Sequence, residues 1–294
     1  MKEKLKIKKS WSVLEVIVLA ILVIYAVLLV VPTLWGLMSS VKTDYDFRHN
    51  ILKLPEEWKF DNYLTSFFGF YVEVQRNGVQ TKVYMPEMFL NSLLYAGGCA
   101  LVATYIPCQM AYVTAKFRYR MSKIITAVVI VCMALPIVGS LPSEIQVARK
   151  LGLYNTIWGM WLMKAHFLSV YFLIFQGVFR SVPDAYVEAA KIDGATNFTV
   201  YTKIMMPLAS KTFFTVYLLN FIVFWNDYQT PLIFMPDVPT VAYGLYEFNK
   251  RTVATFSSIP LKLSGAVLVL LPVLILFLIF QKRLMGNLSI GGIK

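Results

Sequence analysis

Six long apolar runs follow one another along this chain, at about residues 13 to 38, 88 to 113, 122 to 141, 156 to 179, 209 to 235 and 261 to 281, with polar residues collected between them. Each run is near or above the roughly 20 residues that a helix needs to cross the hydrocarbon of a bilayer. The pattern predicts an all-α, polytopic membrane protein whose six spans put both termini on one side. No linker rich in Pro, Gly or Ser divides the chain, and no repeat of fixed period is visible. The expected organisation is a tail over 1–12, one membrane domain over 13–285 with long polar loops at 39–87 and 180–208, and a tail over 286–294.

Composition supports this reading. Apolar residues make up 58% of the chain and charged ones 15%, a balance that a water-soluble domain of this length could not hide in one core. The first span follows Lys2, Lys4, Lys6, Lys8 and Lys9, but it is too long for a secretory signal and lacks a small-residue exit, so it reads as an uncleaved anchor. Those lysines, the Lys116, Arg118, Arg120 and Lys123 cluster, and Lys282 with Arg283 all fall on one face of a six-span arrangement. By the positive-inside rule that face, with both termini and the 180–208 loop, is cytoplasmic. The 39–87 loop, where acidic and basic residues nearly cancel, lies outside. The net charge of +12 is thereby explained by orientation and anionic lipid, and nucleic acid is excluded as a partner because basic-aromatic patches are absent.

Catalytic material is scarce. Cys99, Cys108 and Cys132 sit inside apolar runs as packing residues, and His49 and His166 are the two histidines, so no catalytic or metal centre is expected. No G-x-x-x-x-G-K-[ST] phosphate loop occurs, which assigns any ATP hydrolysis to a partner.

Polar groups inside the spans mark candidate pathway residues. Span five carries Asn220, Trp225, Asn226, Asp227 and Tyr228, whose amides and carboxylate can bind hydroxyls and whose rings can stack on a sugar. The alternative places Trp225 and Tyr228 in the outer aromatic belt and Asp227 in water. Lys164 and His166 in span four are cavity liners, partners of Asp227, or residues near an interface. Pro136 and Pro142 interrupt span three, and a polar helix ends near Gly152; this stretch reads either as a broken segment bordering a transport path or as a plain proline kink. The exterior loop adds a turn at Leu54–Trp58, a helix start at Asp61–Tyr63, and an insertion around residues 72 to 78 that reads as a hairpin or a decoration.

The segment from Pro183 to Pro207 is a polar helix-turn-helix between two spans. Ser181 is placed to cap a helix whose first turn holds Pro183 and Asp184, and Gly194 supplies a left-handed stop. Ala189 and Ala190 let a partner approach the backbone, while Glu188 and Asp193 offer charges for pairing. An amphipathic connector in the headgroup region is the alternative. Its Glu188-Ala189-Ala190, Asp193-Gly194-Ala195, Ile204 and Pro207 resemble the EAA loop of the inner-membrane permease subunits of bacterial ABC importers. Further motifs extend the resemblance over nearly the whole chain, to the six-span permease of the carbohydrate-uptake branch: Ser39-Ser40-Val41-Lys42, Asn91-Ser92-Leu93, Ala111-Tyr112 with Phe117-Arg118, Gly152 to Thr156, Trp225-Asn226-Asp227 with Pro231-Leu232, and Gly291 to Lys294.

The resemblance implies the type I ABC importer permease fold with a cytoplasmic coupling helix, in the bacterial plasma membrane. It implies a second permease subunit as heterodimer partner, two ATPase subunits that hold the ATP and Mg, an extracytoplasmic solute-binding protein and a carbohydrate substrate. Glu188, Ala189, Ala190, Asp193, Gly194, Ala195 and Pro207 would couple to the ATPase, and the chain itself would hold no cofactor. An ion-coupled secondary transporter using Asp227, Lys164 and His166 is the competing reading.

Overall fold

The computed structural model describes residues 12–76, 78–117, 119–135, 139–250 and 258–288, the last seven as backbone. The expected features at Pro136, Arg118, the N-terminal lysines and the Gly291–Lys294 tail lie outside the described residues. In chain order the elements are α1 (Val13–Ser40), α2 (Asp44–His49), α3 (Asp61–Gly69), β1 (Tyr71–Arg76), β2 (Val79–Tyr84), α4 (Met85–Lys116), α5 (Arg120–Ala134), α6 (Leu141–Lys150), α7 (Ile157–Met163), α8 (Val170–Ser181), α9 (Ala185–Ile192), α10 (Asn197–Val200), a π-helical turn (Tyr201–Met205), α11 (Met206–Asn226), α12 (Gln229–Phe234), α13 (Val241–Lys250) and α14 (Ile259–Leu288).

Four stretches are long and apolar enough to cross a membrane among the described residues: α1, α4, the continuous Asn197–Asn226 helix and α14. Spans three, four and five differ from expectation; the fifth begins at Asn197, inside the expected polar loop, and ends at Asn226, with the short α12 after it. Helix α5 stops at Ala134 because Leu135, the neighbour of a proline, is extended, and Pro142 opens α6 instead of interrupting a span. Span four is two helices, α7 and α8, separated by a non-helical stretch at 164–169. Of the two readings of the exterior insertion the hairpin is the one found: Tyr71–Arg76 and Val79–Tyr84 pair antiparallel within the mostly helical fold, Arg76 opposite Val79, and Gly78 takes φ +79° in the turn.

The chain divides into two compact units. The first covers described residues 12–66 and 258–267. Ser12 and Glu15 form a capping box that starts α1, and every residue from Val13 to Leu34 is exposed, as befits an apolar helix surrounded by lipid. Its exit is tied down by side chains. Asn62 donates to the carbonyls of Ser40 and Lys42, both at 2.9 Å, Tyr63 Oη meets Ser40 Oγ at 2.6 Å, and the buried Lys42 ammonium caps the carbonyls of Asn50 and Ile51. Ser66 and Ser264 hydroxyls meet at 2.6 Å and pin α3 to the start of α14.

The second unit covers 67–250 and 268–288, and α4 is its centre, packed most heavily by α11 and α8. Its core is Cys108, Ala111, Tyr112, Phe172, Phe175, Phe179, Tyr201 and Met205 with their neighbours. The hairpin packs inward through Val72, Val74 and Val83, and Phe70 stacks on Phe248 with centroids 3.9 Å apart. Asn91 and Ser92 hold the entry to α13, donating to Pro239 O at 3.0 Å and accepting from Val241 N–H at 2.8 Å.

Candidate functional site

Two places combine exposure with chemistry: the 182–207 loop and a cavity beside the break in span four. The loop begins where Val182, extended ahead of Pro183, forces α8 to end. Ser181 therefore belongs to α8 and donates to Val178 O at 2.7 Å; it does not cap α9, whose N-cap is Asp184. Lys116, at the end of α4, donates to Val182 O and pairs with Asp184 at 2.8 Å, nailing the loop to the core. Helix α9 then turns Val187 and Ala190 onto that core and leaves Tyr186, Glu188, Ala189 and Ile192 exposed.

Gly194 stops α9 at φ +80°. Its N–H bonds to Lys191 O at 3.0 Å and the Ala195 N–H to Ala190 O at 2.9 Å, a glycine-centred helix stop. Thr196 caps the next helix by accepting from Thr199 N–H at 3.2 Å, and Phe198 beyond it is exposed. Pro207 has no N–H to give, and the turn before it widens so that Met206 N–H reaches back five residues to Tyr201 O. Between the two helices lies a groove of about 420 Å³ lined by Ala185, Tyr186, Ala189, Ala190, Asp193 and Ile204. Small apolar walls with the Asp193 carboxylate among them suit an apolar knob that carries a cation beside it.

The cavity occupies about 450 Å³ between α6, α7, the 164–169 break and α12. Lys164 and His166 line it, with Glu144, Gln229 and Thr230 as further polar groups and Met160, Met163 and Phe234 as apolar ones. Backbone that leaves the helix inside an apolar run is tolerated where it borders protein or a water-filled space. Lys164 caps α7, and its ammonium also lies 5.8 Å from the Phe224 ring centroid.

The span-five candidates separate. Trp225 is 1% exposed, stacks on Phe221 and donates to Val269 O at 3.0 Å; Asn220 is buried and donates to Thr104 Oγ1 at 3.1 Å. Both face neighbouring helices. Asp227 accepts from Tyr95 Oη at 3.0 Å and from Thr230 N–H at 3.0 Å, so it ties α4 to the first turn of α12, the helix that forms the cavity wall. Tyr228 stacks on Tyr246 at 4.4 Å, and exposed Asn226 donates to Ile222 O within its own helix. Glu144, Gln229 and Thr230 were not singled out in the sequence. Gln229 and Thr230 follow Tyr228 directly, and Glu144 lies in the stretch between Pro142 and Gly152 that one reading placed beside a transport path. The Gly152–Thr156 motif positions this site: Asn155, at φ 61°, clamps Asp237 through bonds of 2.6 and 3.1 Å, and Thr156 caps α7.

Comparison with known proteins gives one consistent result. The chain is 26% identical over 280 residues to the diacetylchitobiose uptake system permease protein of Streptomyces coelicolor, covering 94% of this chain and 87% of that one. It is 26% identical over 300 residues to the multiple sugar-binding transport system permease protein of Streptococcus mutans, covering all of both chains. In fold it is similar to a chain of a crystal structure of a bacterial ABC transporter involved in the import of the acidic polysaccharide alginate, with a TM-score of 0.74 and 20% identity over 94% of this chain and 99% of that one. Residues 108–288, which hold the loop, its groove and the cavity, match the family model described as binding-protein-dependent transport system inner membrane component, and the chain belongs to that family.

Proposed function

We propose that this chain is one permease subunit of an ATP-driven importer that carries an oligosaccharide across the bacterial plasma membrane, with six spans and both termini cytoplasmic. The observation that carries the reading is the 182–207 loop: a short helix fixed to the core on one side, open on the other, and bordered by a groove with the Asp193 carboxylate in its wall. A partner ATPase would seat there, and a second permease subunit would complete the pathway. Nucleotide-driven closure of the ATPase pair then moves α9 as a rigid body and biases the spans between two arrangements. The relatives named for diacetylchitobiose and multiple sugars support a saccharide substrate delivered by a solute-binding protein.

The cavity suits that substrate class. Glu144, Lys164, His166, Gln229 and Thr230 supply donors and acceptors for hydroxyls, and the methionine and phenylalanine walls supply apolar contact. The deciding experiment is purification from gently solubilised membranes, followed by an ATPase assay with a sugar-loaded binding protein. An ATPase and a second permease in the eluate, with stimulated hydrolysis, support the reading; a self-associated chain with no ATPase points to ion-coupled transport.

Two substitutions refine it. Glu188→Lys is expected to cut ATPase co-purification several-fold, because an exposed carboxylate that meets a partner's cation becomes a repulsion; an unchanged yield would remove the ion-pair part of the docking argument. Gln229→Leu is expected to raise the half-saturation concentration of uptake about tenfold, the equivalent of one or two neutral hydrogen bonds. Normal half-saturation in a correctly assembled complex would place the cavity off the pathway.

A further inference from the structure

The second unit contains a cationic pocket that neither the loop nor the cavity uses. It measures about 520 Å³, lies where α4 ends and α5 begins, and receives Arg120 and Lys123 from α5 and Arg180 from the last turn of α8. Among the described residues none of these three cations forms an ion pair. The carboxylate of the adjoining loop, Asp184, is bound to Lys116.

Positive-inside topology alone asks only for basic residues near the membrane face. Here three of them, each exposed, line one open cavity. Two of them also stand in the first turn of α5, which has no acidic residue and no side-chain cap, so their charge adds to the positive end of the helix. That arrangement is unfavourable empty and favourable around an anion.

The surroundings indicate which anion. Phe117 and Tyr119 are exposed at the rim, the placement of aromatic rings at headgroup depth. Further along α5, Ile124, Val128 and Val131 are exposed and apolar, a surface for acyl chains. The hydroxyls on the pocket floor are already committed, Ser122 to Thr114 O and Thr114 to Gln176 and its own helix, which leaves charge as the means of recognition.

We propose that Arg120, Lys123 and Arg180 bind the phosphate of an anionic phospholipid, selected by charge and not by headgroup shape. The inference rests on the orientation given above, with residues 114–123 at the cytoplasmic face. It is tested on the full importer reconstituted in nanodiscs of phosphatidylglycerol and phosphatidylcholine, by counting retained lipid with native mass spectrometry. One phosphatidylglycerol is expected to stay on the wild-type complex. Loss of retention should be about fivefold for each charge removed by Arg120→Gln, Lys123→Gln or Arg180→Gln, and roughly a hundredfold for all three. Lys123→Arg should retain the lipid, which separates charge recognition from a general folding defect.

Equal retention by the triple variant overturns the proposal. So does displacement of the lipid by millimolar inorganic phosphate, which would mean a site for the free ion, or an unchanged lipid count with loss of the ATPase, which would mean a protein contact. Labelling of a cysteine placed at Lys123 from each side of the membrane is read separately. Outside accessibility with charge-dependent lipid retention would sink the orientation and leave the lipid site standing.

Discussion

Replacing Gly194 with valine is expected to abolish uptake while leaving the amount of chain in the membrane unchanged. Gly194 sits at φ +80°, a region that a β-branched residue enters only at a cost of about 1–3 kcal/mol or more. A Cβ there would meet nothing within 4 Å, so the penalty is conformational and not a clash. It falls on a helix of eight residues whose far end has no side-chain cap, and whose stop consists of the bonds from Gly194 and Ala195 back into its last turn. Relief of the strain unwinds that stop and moves Asp193 and Ile192 off the proposed docking face, while the apolar spans that determine insertion are untouched. Uptake and binding-protein-stimulated ATP hydrolysis should fall together. Gly194→Asn should be the mildest replacement, since Asn tolerates the left-handed region best among side-chain-bearing residues. Full transport by the valine variant would show that docking does not depend on this stop.

The loop was legible in the sequence because its signals are local. Pro183 and Gly194 act on their own backbone, so the helix, its stop and the exposed Ala189 followed from residue order; the cap at Ser181 was misplaced, and Ala190, expected to face a partner, turns toward the core. Spans one, two, five and six were legible for a similar reason, since an apolar run long enough to cross a bilayer has few alternatives to a helix. Spans three and four were less so. Apolar composition does not register where the backbone leaves the helix, and the break at 164–169 announced itself only through Lys164 and His166 inside an apolar run.

Long-range pairing was hidden in a different way. Ser40 and Lys42 read as one motif and Asn62 with Tyr63 as another, yet they are two halves of a single hydrogen-bonded cluster. Asn91-Ser92 and the 239–241 segment stand in the same relation, as do Asn155 and Asp237. The pathway residues show the limit most clearly. A polar or aromatic group in a span must turn away from lipid, but the sequence does not say whether it turns to a cavity, as Lys164 does, or to a neighbouring helix, as Asn220 and Trp225 do.

Substituting Gly98 by leucine is expected to damage the second unit severely. A Cβ built on Gly98 would lie 2.1 Å from the indole of Trp161, and that ring is held in place by its own bond from Nε1 to Leu94 O at 3.0 Å. The glycine is therefore the seat on α4 that receives α7. Even alanine must displace the ring, at about 1–3 kcal/mol, and leucine more. Helix α7 has only seven residues and carries Met160, Met163 and Lys164 to the cavity wall, so a tilt in it alters both stability and the proposed sugar site. Thermal unfolding of the solubilised complex should show a clear loss for Gly98→Ala, accompanied by a raised half-saturation of uptake. The contact itself is isolated by a double-mutant cycle with Trp161→Ala. With the indole absent the three closest clashes of a Gly98→Ala methyl are gone, and the cycle should return a coupling of more than about 1 kcal/mol. Additive effects, or a Gly98→Ala complex as stable as wild type, would mean that α7 is positioned by the Asn155–Asp237 clamp and the Thr156 cap, with no contribution from this seat.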